Sequence, residues 1–387
     1  MRIKKIIGKV HLWLGFTSGI IVFVIALTGC LYAFQAEITN LTQSSFRNVA
    51  PLDFNLRLPP TKIKAIAEKA LPGKHLHSVQ YGLAADAAIA TFYSFTETEN
   101  YYYEVFINPN DGQVLKVKNM DRDFFRVMLM GHYYLWLPPA IGQPITILAT
   151  IVFVVMMITG LILWWPRNKA AAKQRFSIKW SAAWRRKNYD LHNVLGFYMT
   201  WIAIIMAITG LIFGWQLLAN VIYKGVGGKK SLTYVEPLSD TTKAYLTTYA
   251  LPYPVGTTGG HGPVDRLWVR MQQEHKDAET IEMHFPSNDS ASIEVAVNTD
   301  ADTYWRTDYR FFDQYTMKEL PVDHIYGRFK DAKGADKLLR MNYDIHTGAI
   351  WGLAGKILAF FASLIAASLP VTGFMIWWGR RKKKPSR

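Results

Sequence analysis

A single cysteine, Cys30, stands in 387 residues, so no intrachain disulfide can form. Acidic side chains are absent from three segments, residues 1–10, 167–189 and 380–387, which carry four, eight and six Lys or Arg. Elsewhere the remaining 26 basic residues are outnumbered by 29 acidic ones, so the net charge of +15 is confined to the two ends and one short segment. That confinement sets nucleic-acid binding aside, since such binding needs a basic face on a folded domain. It matches instead the positive-inside pattern of a membrane protein, with both termini and the 167–189 segment facing the cytoplasm. Hydrolytic and nucleotide motifs are missing too. No Ser-His-Asp set can be assembled, and Gly225-Val-Gly-Gly-Lys-Lys lacks the strand–helix setting of a phosphate loop. No flavin or nicotinamide domain is recognisable.

What the chain has is long apolar runs, roughly 10–36, 141–165, 191–218 and 350–378. Each reaches the ~20 residues that cross a ~30 Å hydrocarbon layer. Trp and Tyr at their ends and charges beyond them favour membrane spans over buried soluble helices. Leu27-Thr28-Gly29-Cys30 resembles a lipoprotein cleavage site. The apolar run continues through Leu31-Tyr-Ala-Phe34, however, and the matching position of a later segment is Leu211, so the first run is expected to remain a span.

The chain repeats itself. His11-Leu-Trp-Leu-Gly15 with Thr28-Gly29 recurs as His192-Asn-Val-Leu-Gly196 with Thr209-Gly210. His132 with Thr159-Gly160 and Leu163-Trp-Trp-Pro-Arg167 recurs as His346 with Thr372-Gly373 and Ile376-Trp-Trp-Gly-Arg380. Such self-similarity fixes the architecture. The reading is a mainly α membrane protein with four transmembrane helices, in a unit of helix, α+β domain and helix that occurs twice. Its parts are a cytoplasmic tail and first span (1–39), a first outward domain (40–125), and an interfacial helix with the second span (126–166). A basic cytoplasmic loop (167–189), a third span (190–223), a second outward domain (224–344), a fourth span (345–379) and a basic tail (380–387) complete it. The first domain predicts a helix over Thr61–Leu71 and strands at 76–83, 87–96, 101–107 and 113–117, the last two joined by the turn Asn108-Pro-Asn-Asp-Gly112. The second predicts strands near 279–285, 291–298 and 304–314.

Four of the ten histidines occupy matched positions. A lone interfacial histidine is unremarkable. Two symmetric pairs, His11 with His192 and His132 with His346, would meet at the bundle centre if the repeats are related by an axis along the membrane normal. Facing imidazoles across an apolar core are what bis-axial haem ligation requires. Gly15 and Gly196 lie on the histidine face, where they either make room for a flat macrocycle or allow close helix packing. Asp190 and Asp344 are either partners of the adjacent histidines or solvated caps. The other six histidines, His75, His77, His261, His275, His284 and His324, read as surface residues.

With Tyr103-Glu-Val…Asn110-Asp-Gly-Gln-Val-Leu115, Asp190-Leu-His192-Asn-Val-Leu-Gly196 and Asp344-Ile-His346-Thr-Gly-Ala-Ile-Trp-Gly352 added, the chain resembles the PepSY-associated transmembrane-helix proteins along nearly its whole length. The resemblance implies a multi-pass protein of the bacterial inner membrane, with both termini cytoplasmic and two PepSY-like periplasmic domains. It also implies a b-type haem protein that reduces ferric iron in siderophore complexes. Two haems held by His11, His192, His132 and His346 are expected, with electrons from a separate donor, a cytoplasmic reductase or a quinol. Arg126 and Lys356 are candidates for haem propionate or substrate contacts. Gly131-His132 stands where the family pattern has Leu-His. The rival expectation is a non-enzymatic, membrane-anchored PepSY module that binds or regulates a periplasmic protein or peptide.

Overall fold

The structure is a computed structural model that describes every residue except 1, 52–55, 97–98, 167, 170–171, 173–174, 249–261 and 382–387. Arg167, His261 and most of the C-terminal basic tail lie outside the described residues. The chain divides into two compact units, one of Met1–Gln35, Phe124–Ile222 and Asn342–Arg387, the other of Ala36–Asp123 and Tyr223–Met341.

The first unit is helical. Among the described residues, four helices are long and apolar enough to cross a membrane. They are α1 (Arg2–Tyr32), α4 (Pro139–Trp164), α5 (Trp184–Gly214) and α8 (Gly352–Arg381). Helix α1 packs on α4 and α8, and α5 packs on the same two, so α1 and α5 are diagonal partners, as the repeat requires. Two helices begin earlier than expected. Helix α1 starts at Arg2 and not near His11, and α5 at Trp184 and not near Tyr189. Lys and Arg are good helix formers and no breaker intervenes, so the basic flanks extend the helices into the region read as tail and loop.

Each histidine of the second pair sits on a short helix of its own: His132 on α3 (Phe124–Tyr134) and His346 on α7 (Asn342–Thr347). The chain breaks after α3 at Leu135 and Trp136, whose φ angles are 55° and 58°, and after α7 at Gly348, with φ 81°. A Cβ on Gly142 would stand 2.0 Å from the Tyr134 carbonyl oxygen, and one on Gly355 would stand 2.0 Å from that of Gly348. Only glycine permits these approaches, and the two positions correspond in the repeat. The stretch from His346 to Trp377 is thus two helices, divided at the Gly348 turn.

The second unit corrects the expectation of two separate domains. Strands β1 (Leu76–Tyr81), β2 (Ala88–Phe95), β3 (Asn100–Ile107) and β4 (Val114–Asn119) form one half. Strands β5 (Thr280–His284), β6 (Ile293–Asn298), β7 (Asp308–Phe312) and β8 (Glu319–Leu320) form the other. Together they make one antiparallel sheet ordered β4-β3-β2-β1-β5-β6-β7-β8. The halves join where β1 pairs β5, with Ser78 opposite His284 and Gln80 opposite Glu282. Adding 204 to one partner's number gives the other pair, the signature of a local two-fold axis at this seam. Unpaired, β1 and β5 would each be an open edge; paired, they cover each other. Helices α2 (Pro60–Ala70) and α6 (Pro263–Glu274) lie on one sheet face, where Ile63, Ala67, Leu267, Trp268 and Met271 join the strand residues in one core. Buried Asp265 ties the helix starts, accepting from the Thr61 amide at 2.9 Å and its hydroxyl at 2.5 Å.

Two further features depart from the sequence reading. His324 is buried, not a surface residue, and its ring lies against Tyr234 and Phe311. Arg310 of β7 is also buried, held by Glu274 and by Glu319 at 2.6 Å, while Arg328 bonds Glu319 at 2.8 Å and Asp308 at 3.0 Å.

Candidate functional site

The helical unit holds two cavities, each with one histidine pair on its wall. His11 and His192 line the larger, of about 560 Å³, at the basic end of the bundle. His132 and His346 line the other, of about 370 Å³, at the far end. Both volumes are in the range of cofactor cavities, about 300–1,000 Å³. The walls are mostly apolar, and Val22 and Phe153 line both cavities, so these two side chains form the partition between them. The imidazole rings of His132 and His346 are 6.0 Å apart, centre to centre.

How the rings are held follows from the Thr-Gly dipeptides, whose role the sequence left open between cofactor room and helix packing. His11 Nδ1 lies 2.9 Å from Thr159 Oγ1, and His192 Nδ1 lies 2.9 Å from Thr372 Oγ1. His346 Nδ1 lies 3.0 Å from Thr209 Oγ1 and 2.9 Å from the Met206 carbonyl. His132 Nδ1 lies 2.8 Å from the carbonyl of Ile25, one turn before Thr28. Each threonine gives its one hydroxyl hydrogen to its own helix; Thr159 Oγ1, for instance, is 2.8 Å from the Val155 carbonyl and Thr372 Oγ1 is 3.0 Å from that of Ser368. A hydroxyl oxygen so committed accepts, and a carbonyl only accepts, so Nδ1 carries the proton in all four rings. The lone pair therefore resides on Nε2, the nitrogen left for a ligand bond.

The glycine of each dipeptide gives the ring its space. A Cβ on Gly29 would stand 2.9 Å from His132 Cε1, on Gly210 3.2 Å from His346 Cε1, on Gly373 3.2 Å from His192 Cε1, and on Gly160 3.5 Å from His11 Cε1. Gly15 and Gly196 line the basic-end cavity as well, and each faces one flexible side chain of a neighbouring helix, Met156 or Leu369.

Other candidates fall elsewhere. Asp190 is buried but bonds Arg186 Nε at 2.9 Å and the Lys179 amide at 3.3 Å, not His192. Asp344 is fully buried and not a solvated cap. Arg126 and Lys356, expected near a propionate or substrate, line neither cavity. Six residues at 100° each put Arg126 about 120° round α3 from His132. Lys356 is buried one turn beyond Ala359, where the cavity wall of α8 begins. The cationic side chains on a cavity wall are instead Arg175 and Arg380, at the basic end. Sequence reasoning did not single them out, because both lie in runs of like charge. Tyr133 and Tyr134 line the far-end cavity; Trp136 folds back instead, donating its indole N–H to the Val127 carbonyl at 2.7 Å.

Four candidate spans with two histidine pairs on cavities between them, and a sheet in a separate unit, define a multi-pass membrane protein. Residues 9–380 match the family described as the PepSY-associated TM region, and the chain belongs to that family. No curated protein matches the chain significantly.

Proposed function

We propose that the protein is a transmembrane electron carrier that holds two b-type haems and reduces ferric chelates, siderophore complexes among them, on the outward side of the bacterial inner membrane. The observation that carries this reading is the presentation of four imidazoles, each with Nδ1 occupied and Nε2 free, in two pairs on apolar cavities of cofactor size. The donor set fits the group. The 6.0 Å between the ring centres of His132 and His346 leaves room for one metal ion that both would hold. A bare ion needs three or four protein ligands, and among the described residues no three His, Cys, Asp or Glu side chains come together.

Haem iron, when bound, supplies one-electron exchange between its ferric and ferrous states. The chain's own residues do the rest. His11 with His192 and His132 with His346 would hold the two irons; Thr159, Thr209, Thr372 and the Ile25 carbonyl fix the tautomer; the mostly apolar walls would limit water around the group. Two sites are needed because a ~30 Å hydrocarbon layer is too wide for one. A reduced flavin protein or a quinol on the cytoplasmic side gives up the electron, and a ferric chelate on the other side gains it. Its iron becomes ferrous, a less charged ion that oxygen ligands hold less tightly.

The test starts from absorbance of the purified full chain. His192→Ala is expected to remove about half of the bound haem while leaving the far-end spectrum intact, and ferric chelates should reoxidise the reduced protein. Lack of any haem band after haem-supplemented expression would return the chain to the rival role, a membrane-anchored module that binds a protein or peptide.

A further inference from the structure

The two cavities, each of which the repeat maps onto itself, differ in the charge on their walls. Among the described residues, the basic-end cavity is lined by two arginines, Arg175 and Arg380, and by no Asp or Glu. Among the described residues the far-end cavity has no Lys or Arg on its wall and is polar only through its two imidazoles, hydroxyls and the amide of Gln143. Arg175 follows the loop after α4, and its position is fixed locally. Its carbonyl accepts from the Trp164 indole at 3.3 Å, its amide donates to the Ala172 carbonyl at 2.9 Å, and its guanidinium touches the Tyr189 hydroxyl at 3.4 Å. Arg380 comes from the last turn of α8, two turns beyond Gly373, the glycine against which His192 is seated. Two arginines from different elements, with the Tyr189 phenol beside one of them, thus line a mostly apolar cavity. A neutral ligand has no use for them there, and an anionic one is matched by them in charge and geometry.

We infer that Arg175 and Arg380, with Tyr189, form a carboxylate clamp that holds the acid side chains of the macrocycle in the basic-end cavity, and that the far-end cavity works without such a clamp. The inference rests on the haem reading above and deepens it. Its consequence is that the two sites have different demands on the cofactor. The basic-end site selects for the free acids, and its fixed positive charge favours the reduced, less positive state of the bound iron.

The experiment compares iron protoporphyrin with its dimethyl ester, whose carboxylates are blocked, by absorbance titration of cofactor-depleted full-length protein. His346→Ala removes the far-end site and isolates the basic-end one, and His192→Ala does the reverse. The isolated basic-end site is expected to bind the acid roughly a hundredfold more tightly than the ester, roughly tenfold for each guanidinium. The isolated far-end site should take both forms alike. Adding Arg175→Gln and Arg380→Gln to the basic-end protein should abolish the preference and lower its midpoint potential, while Arg175→Lys with Arg380→Lys should retain part of both. A preference that survives the glutamine pair, or is absent from the start, overturns the clamp and leaves the arginines as anchors for lipid phosphates. Failure of either form to bind at all overturns the haem reading and the clamp with it.

Discussion

Restoring a methyl group at each dipeptide glycine gives a graded test of how the imidazoles are seated. In a helix interior, Gly→Ala stabilises by up to about 1 kcal/mol through backbone propensity alone. Against that gain stands the distance from the new Cβ to the ring. At Gly160 it is 3.5 Å, an ordinary contact, so Gly160→Ala should be neutral or slightly stabilising. At Gly210 and Gly373 it is 3.2 Å, and the ring must yield by a few tenths of an ångström. At Gly29 it is 2.9 Å to Cε1 and 3.0 Å to Nδ1 of His132. Overpacking of that size costs about 1–3 kcal/mol, and here it also displaces the nitrogen bonded to the Ile25 carbonyl. The expected order of harm is Gly29→Ala, then Gly210→Ala and Gly373→Ala together, then Gly160→Ala. Thermal unfolding and cofactor absorbance of the full-length variants read it out. Equal harm at all four positions, or Gly160→Ala as damaging as Gly29→Ala, would mean that these glycines serve helix packing and not imidazole clearance.

The remaining expectations concern hydrogen bonds and pH. Thr159→Val removes the hydroxyl that His11 uses, whereas Thr209→Val leaves His346 the Met206 carbonyl, so the first should disturb its site more; a hydrogen bond of this kind contributes about 0.5–1.5 kcal/mol, and the cofactor's spectrum and potential report the difference. In the sheet, Arg310→Met removes one of two arginine partners from each of Glu274 and Glu319, which keep Arg270 and Arg328, and should cost about 1–2 kcal/mol, seen as faster hydrogen exchange in β6 and β7. Burial alone would raise the Glu274 pKa, but hydrogen bonds and charge from Arg270 and Arg310 outweigh it and hold the group at about 2; Glu319 is likewise depressed, by Arg310 and Arg328 against its burial. Both pKa values are lower in the folded state than the unfolded value of about 4.3. The stability they contribute is therefore present above that pH and lost as pH falls towards 2, and Arg310→Met should flatten this acid limb.

Much of the bundle was legible because membrane spans and exact repeats leave strong marks. His11 and His192, 181 residues apart and each followed by Thr-Gly at the same distance, stand out as a pair in the sequence, and they line one cavity. The strands of the first half were equally plain, since Asn108 and Gly112 bound an unmistakable turn. The partnership between dipeptide and histidine was not legible. Thr159 serves His11, Thr372 serves His192 and Thr209 serves His346, always across a helix interface, and sequence spacing does not say which faces meet. The pairing of β1 with β5 was hidden for the same reason, as it joins residues such as Ser78 and His284 that lie far apart in the chain. Helix α6 was a different kind of miss. Val264, Leu267, Trp268 and Met271 carry a helical stripe, but it follows a glycine-rich stretch that drew the reading towards irregular structure.

The seam at β1 and β5 has a consequence for how such a chain can arise. Each half carries the same parts, and each seam strand presents the same edge to the other, so a half-length polypeptide on this plan would be self-complementary and would close as an isologous homodimer. Joining the halves end to end lifts the requirement that they remain identical. Phe153 on the partition between the cavities corresponds in the repeat to Ala366, and the two belong to one packed cluster. In a symmetric dimer that position would hold two phenylalanines or two alanines, one too large and the other leaving a gap. Only the fused chain can place one of each there.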